Sequence, residues 1–309
     1  MSSDFRPMSG TAIKDDGLDT LKFPVLVSYK LDGIRCVIRN GVPISRNMKC
    51  IRNKHITAAL TGLPEFDGEL VCGGPPHKDQ SNPEDDVLSR SNSGVMSANG
   101  EPEFTYYVFD MHMEAEFRTR LNEAQKAINA AGNANVAFLP HYLCFDANMI
   151  RAHEETALRL GYEGLIIRDP LGPYKYGKAT AKEATFLKLK RFDDYEARVS
   201  GYLAKNQNTN APTIAETGLT KRSKKKGGMV AKDTLGTLLG TMVTGPYAGA
   251  PMRVGSGFDD ALRKYVWNIK ADIIGTLFKF KCQGFTPDGE PRFPVFISFR
   301  DEADMEVEI

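Results

Sequence analysis

The chain has 309 residues, of which 41% are hydrophobic, and its formal net charge at pH 7 is +1. This length allows one large or two medium domains with packed cores. It contains no apolar run long enough to cross a membrane, and its first residues lack the charged and then apolar order of a signal peptide, so we expect a cytoplasmic protein without a membrane partner.

The five cysteines are far apart along the chain, at Cys36, Cys50, Cys72, Cys144 and Cys282. The absence of any close pair argues against a zinc ribbon or a disulfide framework and suits a reducing compartment. The nearly neutral net charge does not indicate general binding to nucleic acid. We therefore expect any surface that binds DNA to be local.

The most informative stretch begins with the apolar residues Val25–Tyr29, which predict a buried strand. Lys30 follows the strand, Asp32-Gly33 predicts a sharp turn, and Asn40-Gly41 predicts a two-residue hairpin. A lysine acts as a nucleophile only after its amine has lost a proton. We expect burial and the neighbouring cation Arg35 to lower the pKa of Lys30. The alternative is an ordinary surface hairpin with a charged tip.

Lys30, Asp32, Gly33 and Arg35 together resemble motif I, Lys-x-Asp-Gly-x-Arg, of the covalent nucleotidyltransferases. This superfamily includes ATP-dependent DNA ligases, RNA ligases and mRNA-capping guanylyltransferases. The resemblance implies that Lys30 is the catalytic residue and carries the nucleotide. It also implies an adenine contact for Ser28, and for Arg35 a contact with ATP and with the DNA 5′-phosphate.

Three further segments resemble motifs of the same superfamily that bind the nucleotide or the nick. Arg46 occupies the place of an arginine that binds the 5′-phosphate at a nick, although a solvated turn residue is the alternative. Phe66–Val71 resembles motif III, in which the glutamate, here Glu69, holds the ATP ribose; the alternative is a surface glutamate on an edge strand. Tyr106–Met111 resembles motif IIIa, which places Phe109 on adenine, although most phenylalanines in such a run are core residues.

Glu163–Arg168 resembles motif IV, which implies that Glu163 binds the catalytic metal. Phe186–Lys190 resembles motif V, in which lysines bind the α-phosphate of ATP. Alternation places Lys188 and Lys190 on one face of a strand, where two cations are costly unless an anion meets them. Lys178 stands where the family often has an arginine that contacts the DNA phosphate, and a lysine lacks the bidentate geometry.

Helical spacing predicts one helix over Phe117 to Ile128, with Gly132 as its stop, and a second from about Asn148 to Leu160. Between the strands, Pro75 to Gly100 is polar and rich in Pro, Gly, Ser and Asn, and we expect a mobile loop there. Within it, Leu88–Ser97 resembles a segment that lies beside the nucleotide pocket in phage and viral ligases.

We interpret Phe192-Asp193-Asp194 as a hinge. Beyond it, several short strands and a single helix predict a small β-barrel such as an OB-fold. The predicted strands are Ala197–Tyr202, Leu235–Val243, Leu277–Cys282 and Val295–Phe299, and the predicted helix is about Asp259 to Lys270.

A polar insertion within this region, at about 205–231, contains a run of cations and flexible glycines. The cations are Lys221, Arg222, Lys224, Lys225 and Lys226. A solvated or disordered loop is one interpretation. The other is a DNA-clamping latch, as in the smallest viral ligases, whose binding to several phosphates would depend strongly on salt.

The end of the chain resembles the closing motif VI region, which folds over the active site during self-adenylation. Arg292, Arg300 and Asp304 are its candidate residues. The family has a basic residue after the position of Asp304, whereas this chain has Met305.

The order and spacing of these segments, from about Phe5 to Asp304, resemble a minimal ATP-dependent DNA ligase of phage or viral type. The resemblance implies an α+β fold: a nucleotidyltransferase domain with ATP-grasp-like antiparallel sheets and helices (residues 1–191), followed by an OB-fold β-barrel (192–309). It also implies ATP and Mg²⁺ or Mn²⁺ as cofactors, nicked double-stranded DNA as the partner, and a monomer. The alternatives are an RNA ligase or capping guanylyltransferase, and an inactive DNA-binding relative.

Overall fold

The computed structural model describes residues 5–77, 86–214, 220–286 and 288–300. Asp304 and Met305 lie outside these ranges. Within them the chain forms two compact units, one ending at Lys190 and the other beginning at Arg191.

The described strands of the first unit form two five-stranded sheets. In chain order the strands are β1 (Thr11–Ile13), β2 (Val25–Tyr29), β3 (Ile34–Arg39), β4 (Val42–Ser45), β5 (Phe66–Cys72), β6 (Phe104–Met111), β7 (Val136–Phe138), β8 (Tyr142–Cys144), β9 (Leu165–Arg168) and β10 (Phe186–Leu189). One sheet has the order β1-β10-β9-β2-β8 and the other β4-β3-β5-β6-β7. Neighbouring strands are antiparallel except for the parallel pairs β1–β10 and β6–β7.

The α-helices of this unit are α1 (Lys54–Leu60), α2 (Val87–Met96), α3 (Phe117–Ala131) and α4 (Ala147–Arg159), and a 3₁₀ helix spans Asp15–Thr20. The two helices predicted from spacing correspond to α3 and α4. Helix α3 ends at Gly132, whose φ of 55° is the left-handed conformation expected of such a stop. The predicted hairpin joins β3 and β4, and Asn40 and Gly41 both have positive φ, 48° and 73°.

The expectation of a mobile loop over Pro75 to Gly100 was wrong for the part that forms α2. Asp86 caps this helix, because its side chain accepts a hydrogen bond of 3.1 Å from the amide of Ser89. Val87, Ser91 and Val95 are buried. The helix is rich in Ser and Asn, which are weak helix formers, so composition concealed it.

A buried group of three charges connects the two sheets of the first unit. Asp110 on β6 accepts from Arg120 of α3 at 2.7 Å and from Arg168 of β9 at 2.8 Å. Arg120 also donates to the carbonyl of Gly172 at 3.0 Å. Burial raises the pKa of Asp110, but the two guanidinium groups outweigh it and lower the pKa below its usual value. Asp110 is therefore ionised and held on both sides.

At one end of the first sheet, β8 pairs with β2 and carries exposed apolar side chains. Tyr142 and Leu143 on this strand are 38% and 43% exposed, and Phe145, which follows it, is 62% exposed. The strand therefore presents an apolar edge.

The second unit contains β11 (Asp193–Asn208), β12 (Pro212–Ile214), β13 (Thr220–Arg222), β14 (Met229–Met242), β15 (Pro251–Val254), α5 (Asp260–Asn268), β16 (Leu277–Cys282) and β17 (Val295–Arg300). Its main sheet has the order β15-β14-β11-β16-β17, and all its described pairings are antiparallel. An isolated bridge between Ser256 and Val295 joins its two ends at one point, as expected of a partly open OB barrel. The apolar core lies between this sheet and α5, and includes Leu238, Val266 and Phe278.

Throughout the described ranges, every helix is too short or too polar to span a lipid bilayer.

Candidate active site

A cavity of about 150 Å³ in the first unit brings together most of the site residues that were predicted in that unit. Of the predicted residues, its lining includes Ser28, Lys30, Arg35, Arg46, Glu69, Phe109 and Lys188. Its remaining lining residues, which were not predicted as site residues, are Ser9, Tyr29, Leu31, Leu139, His141, Ile166, Arg168 and Phe186. Residues that are far apart in the sequence therefore form one concave site.

The register of β2, β9 and β10 explains one wall of the cavity. Ser28 lies opposite Ile166, and Ile166 lies opposite Lys188. Two residues further along, Arg168 lies opposite Phe186. Because alternate residues of a strand point to the same face, these side chains share the face that lines the cavity.

Lys30 follows β2 and is fixed through both its backbone and its side chain. Its amide donates to the carbonyl of Gly164 at 2.9 Å, and its Nζ donates to the carbonyl of Leu31 at 3.2 Å. The Nζ also contacts Oε2 of Glu163, and the Nζ of Lys190 lies 2.9 Å from the same oxygen. One carboxylate thus holds two ammonium groups.

The predicted direction of the Lys30 pKa shift was wrong. Burial does lower the pKa of Lys30, but the charges of Glu163, Glu69 and Asp32 outweigh it and raise the pKa above its usual value. In the absence of nucleotide, Lys30 is therefore protonated.

The other titratable groups around Lys30 are shifted by burial and by one another. Burial raises the pKa of Glu163, but Lys30 and Lys190 lower it to about 2. Burial and the charges of Lys30 and Arg35 lower the pKa of Lys188 to about 8, and burial together with Lys30 lowers that of Lys190. Burial raises the pKa of Glu69 to about 7, although Lys30 and Arg35 oppose this. The cations of this cluster exceed the charge that Glu163 can neutralise, so the site favours an anion.

Arg35 is held by a bidentate contact. Its Nε and Nη2 each lie 2.6 Å from an oxygen of the buried Asp67, and Nη2 also donates to the carbonyl of Met8 at 3.0 Å. The hydroxyl of Tyr174 donates to the same carboxylate at 2.6 Å. The guanidinium carbon of Arg35 lies 4.6 Å from the centre of the Phe109 ring. Arg35 therefore supports the wall that contains Phe109.

Phe109 and Glu69 come from the second sheet. Glu69 on β5 lies opposite Arg35 on β3. Between Gly68 and Asp67 the partner on β6 changes from Val108 to Asp110, so Phe109 is the extra residue of a β-bulge. Bulges redirect side chains and occur often beside active sites. The bulge therefore changes the direction of the Phe109 side chain, which lines the cavity.

Two predicted cations of the first unit differ in position. Arg46, directly after β4, lines the cavity. Lys178 is exposed and is not part of the cavity lining, although its backbone bridges to Ser9. The structure thus unites Arg46, but not Lys178, with Lys30 in the cavity lining.

The predicted residues of the second unit lie on its surface strands and loops. Lys221 and Arg222 belong to β13, which pairs with β12, and Lys224, Lys225 and Lys226 follow as exposed residues. Arg222 donates to the carbonyl of Asn210. The insertion therefore contains a short two-stranded sheet.

Two candidate residues of the motif VI region are described by the structure. Arg300 is the last residue of β17, and its Nε lies 3.6 Å from Oε1 of Glu196. The guanidinium of Arg292 lies 5.9 Å from the centre of the Phe293 ring.

Sequence reasoning missed the role of His141, Arg168 and Phe186 in the cavity. Arg168 and Phe186 belong to segments that resemble motifs IV and V, and their two-residue spacing from Ile166 and Lys188 could have identified them. His141 follows the apolar run Val136–Phe138, and a lone histidine is too weak a signal.

Comparison with protein families found two matches along the chain. The model of the ATP dependent DNA ligase domain matches residues 8–190, and the model of the DNA ligase OB-like domain matches residues 226–300. These matches confirm the predicted nucleotidyltransferase domain followed by an OB-fold. A comparison with curated proteins found no match.

Solved structures with the same architecture include DNA ligases over nearly the whole chain. A Lig E DNA ligase described as a minimal scaffold has a TM-score of 0.72 and 24% identity, covering 96% of this chain and 99% of its own, which shows the fold. The Chlorella virus DNA ligase-adenylate has a TM-score of 0.51 and 28% identity, covering 96% of this chain and 99% of its own. Because the ligase-domain match spans more than half of the sequence, the chain belongs to the ATP-dependent DNA ligase family.

Proposed function

We propose that this DNA ligase seals nicks in duplex DNA by carrying AMP on Lys30. The observation that supports this most directly is the charge cluster around that lysine. Lys30 and Lys190 share the carboxylate of Glu163, and Lys188 lines the adjoining cavity. A nucleophile among cations, next to a cavity with aromatic walls, suits a nucleoside triphosphate. The Chlorella virus relative is a ligase-adenylate, which also supports the proposal.

In the first step, the amine of Lys30 loses a proton and attacks the α-phosphorus of ATP. A phosphorus–nitrogen bond forms, and the bond to the pyrophosphate oxygen breaks. Negative charge increases on the α-phosphate oxygens in the transition state. Lys188 and Lys190, which the fold places beside Lys30, stabilise this charge without having to reorganise.

We further propose that Glu163 binds a divalent cation. Among the described residues no group of three or more His, Cys, Asp or Glu side chains could hold a metal. Mg²⁺ nevertheless fits an ionised carboxylate of this kind, because it commonly takes one or two carboxylates and completes its shell with water and phosphate oxygens. Mg²⁺ or Mn²⁺ bound there would neutralise the carboxylate that keeps the proton on Lys30.

In the second step, the 5′-phosphate of the nick attacks the phosphorus of the adduct. The phosphorus–nitrogen bond breaks, Lys30 regains its proton, and AMP is joined to the DNA end. In the third step, the 3′-hydroxyl attacks the 5′-phosphate, a phosphodiester bond forms, and AMP leaves. Arg46 is the cation of the cavity lining that we assign to the 5′-phosphate, with the exposed cations around β13 assigned to the duplex.

Lys30→Ala tests the proposal directly. We expect it to abolish the covalent adduct that the protein forms with labelled ATP, because among the described residues only Lys30 has an amine that both contacts Glu163 and lines the cavity. Mass spectrometry of the digested wild-type protein should locate AMP on the peptide that contains Lys30. Lys175→Ala is the control, since Lys175 pairs with Glu183 on the surface at 2.7 Å. AMP on another residue of the wild type would contradict the assignment.

A further inference from the structure

His141 lies between β7 and β8 and lines the nucleotide cavity. Its Nδ1 is 2.9 Å from the carbonyl oxygen of Leu139. A carbonyl oxygen can only accept a hydrogen bond, so Nδ1 carries the proton and donates. In the neutral ring, Nε2 is then an acceptor.

The ring is neutral under ordinary conditions. Burial lowers the pKa of His141 to about 4; the bond to Leu139 and the charge of Asp110 oppose this shift, and Arg168 adds to it. These are the charged groups that face the ring from β6 and β9. The aromatic rings of Phe117 and Phe138 complete its surroundings, with centres 5.4 Å and 6.0 Å away.

The cavity brings His141 together with the residues suited to a base. Leu139, whose carbonyl oxygen accepts the bond from His141, packs in one apolar cluster with Phe109. Leu139, Phe109 and His141 all line the cavity. Neutral and apolar side chains of this kind suit a base, whereas the ammonium groups of Lys30 and Lys188 in the same lining suit phosphates.

We propose that Nε2 of His141 accepts a hydrogen bond from the 6-amino group of adenine and thereby selects ATP. This inference rests on the proposed function, in which Lys30 takes its nucleotide from this cavity. Adenine presents an N–H donor at position 6, whereas guanine presents a carbonyl oxygen. Two acceptors that face each other in a buried site repel and leave both groups without a partner, which is how a polar pocket rejects an analogue.

The test compares three triphosphates in the wild type and in His141→Leu: ATP, purine riboside 5′-triphosphate, which lacks the 6-amino group, and GTP. The measured quantity is kcat/KM for formation of the Lys30 adduct. In the wild type we expect ATP to exceed purine riboside triphosphate about tenfold, the range of one net hydrogen bond. In His141→Leu the two should become nearly equal, through a loss with ATP and little change with purine riboside triphosphate.

His55→Leu is the matched control. His55 lies on α1, packs against Phe104 with ring centres 5.9 Å apart, and is not part of the cavity lining. It should keep the wild-type preference. His141→Gln, which retains an acceptor, should keep part of the preference and provides a second test if the leucine variant fails to fold.

Three results separate the possibilities. An unchanged ratio of ATP to purine riboside triphosphate in His141→Leu, or no discrimination by the wild type, would overturn the role of His141. A wild-type protein that forms no adduct with any triphosphate would instead overturn the proposed function. A preference that stays constant from pH 6 to pH 8.5 agrees with a ring that remains neutral, whereas loss of the preference over that interval contradicts the inference.

Discussion

Glu163 controls the charge of Lys30 before nucleotide binds. Its carboxylate is ionised across the working range, because its pKa is about 2, and it contacts both Lys30 and Lys190. The pKa of Lys30 is raised, so the protonated form persists to a higher pH than for a free lysine. Under the proposed mechanism, the amine of Lys30 therefore becomes reactive only when the charge of Glu163 is compensated.

Glu163→Gln should lower the pKa of Lys30, because it removes the main cause of the rise and leaves burial, which acts in the opposite direction. Each unit by which this pKa falls increases the deprotonated fraction about tenfold at a pH below it. The measurement is modification of Lys30 by an amine-reactive reagent at pH 7 to 9, without ATP or metal, followed by mass spectrometry. We expect faster modification of Lys30 even though formation of the AMP adduct decreases.

Glu183→Gln provides the control for this experiment. It removes the carboxylate that pairs with Lys175 on the surface, 2.7 Å away, and should leave modification of Lys30 unchanged. Equal reactivity of Lys30 in the wild type and in Glu163→Gln would show that Glu163 does not hold the proton on the amine.

For individual side chains, the sequence indicated which of them form the site but not their charge states. Lys30 and Glu163 were both nominated, yet the predicted direction of the Lys30 pKa shift was wrong. The reason is a set of partners that are distant in sequence: the carboxylates of Glu163 and Glu69 raise the pKa of Lys30 against the effect of burial. Charge balance in a buried site depends on tertiary neighbours that local spacing does not show.

Among the helices, strands and turns, the sequence predicted those features that depend on the conformational preference of one or two residues. The Asn40-Gly41 hairpin and the Gly132 stop are turns whose conformations only a few residue types adopt easily. Helix α2 was missed because burial of Val87 and Val95 stabilises it against its weak propensity. The position of His141 was missed because it depends on how β7 and β8 join different sheets.

Gly33 has a second role beyond the turn that the sequence predicts. The chain bends at Gly33, and directly before β3 it also approaches β5 closely. A Cβ at this position would overlap the carbonyl oxygen of Leu70 and lie 2.9 Å from Cγ of Glu69. Glycine is therefore required by packing against the strand that carries Glu69.

Gly33→Ala should destabilise the protein by roughly 2–4 kcal/mol, because a backbone oxygen cannot move aside as a flexible side chain can. Denaturant unfolding of the whole chain measures the change. Gly227→Ala is the control, since a Cβ there meets no atom within 4 Å. A loss of less than about 0.5 kcal/mol in Gly33→Ala, comparable to a neutral surface change, would contradict the packing argument.

At the scale of the molecule, the buried Asp110 connects the two sheets that form the cavity. Its two arginine partners come from α3 and β9, so one carboxylate links three elements. Removing one member of such a group leaves buried charges without a partner, which costs more than the intact group contributes. Asp110 is therefore expected to stabilise the two sheets that line the cavity.

Asp110→Asn should lower the free energy of unfolding by about 3–5 kcal/mol at neutral pH. The folded-state pKa of Asp110 is lowered, so its stabilising effect is present above the unfolded pKa of about 3.9 and is lost as the pH falls through the folded value. The difference in stability between wild type and variant should thus be constant above about pH 5 and should decrease below it.

Glu116→Gln is the control for Asp110→Asn, because Glu116 pairs with Arg118 at 3.0 Å on the surface. An exposed pair contributes about 0–1 kcal/mol, so this variant should unfold nearly as the wild type does. Equal losses in the two variants would show that burial of the Asp110 group has no special effect.

The exposed edge at β8 has a practical consequence for work with concentrated protein. Tyr142 and Leu143 present apolar side chains on a strand at the end of its sheet, and natural proteins usually protect such edges with charge. We expect aggregation to increase with concentration through edge-to-edge pairing of molecules, and a lysine at position 143 to suppress it, as light scattering would report. Preparations for crystallisation should therefore gain more from altering this short strand than from changing the buffer.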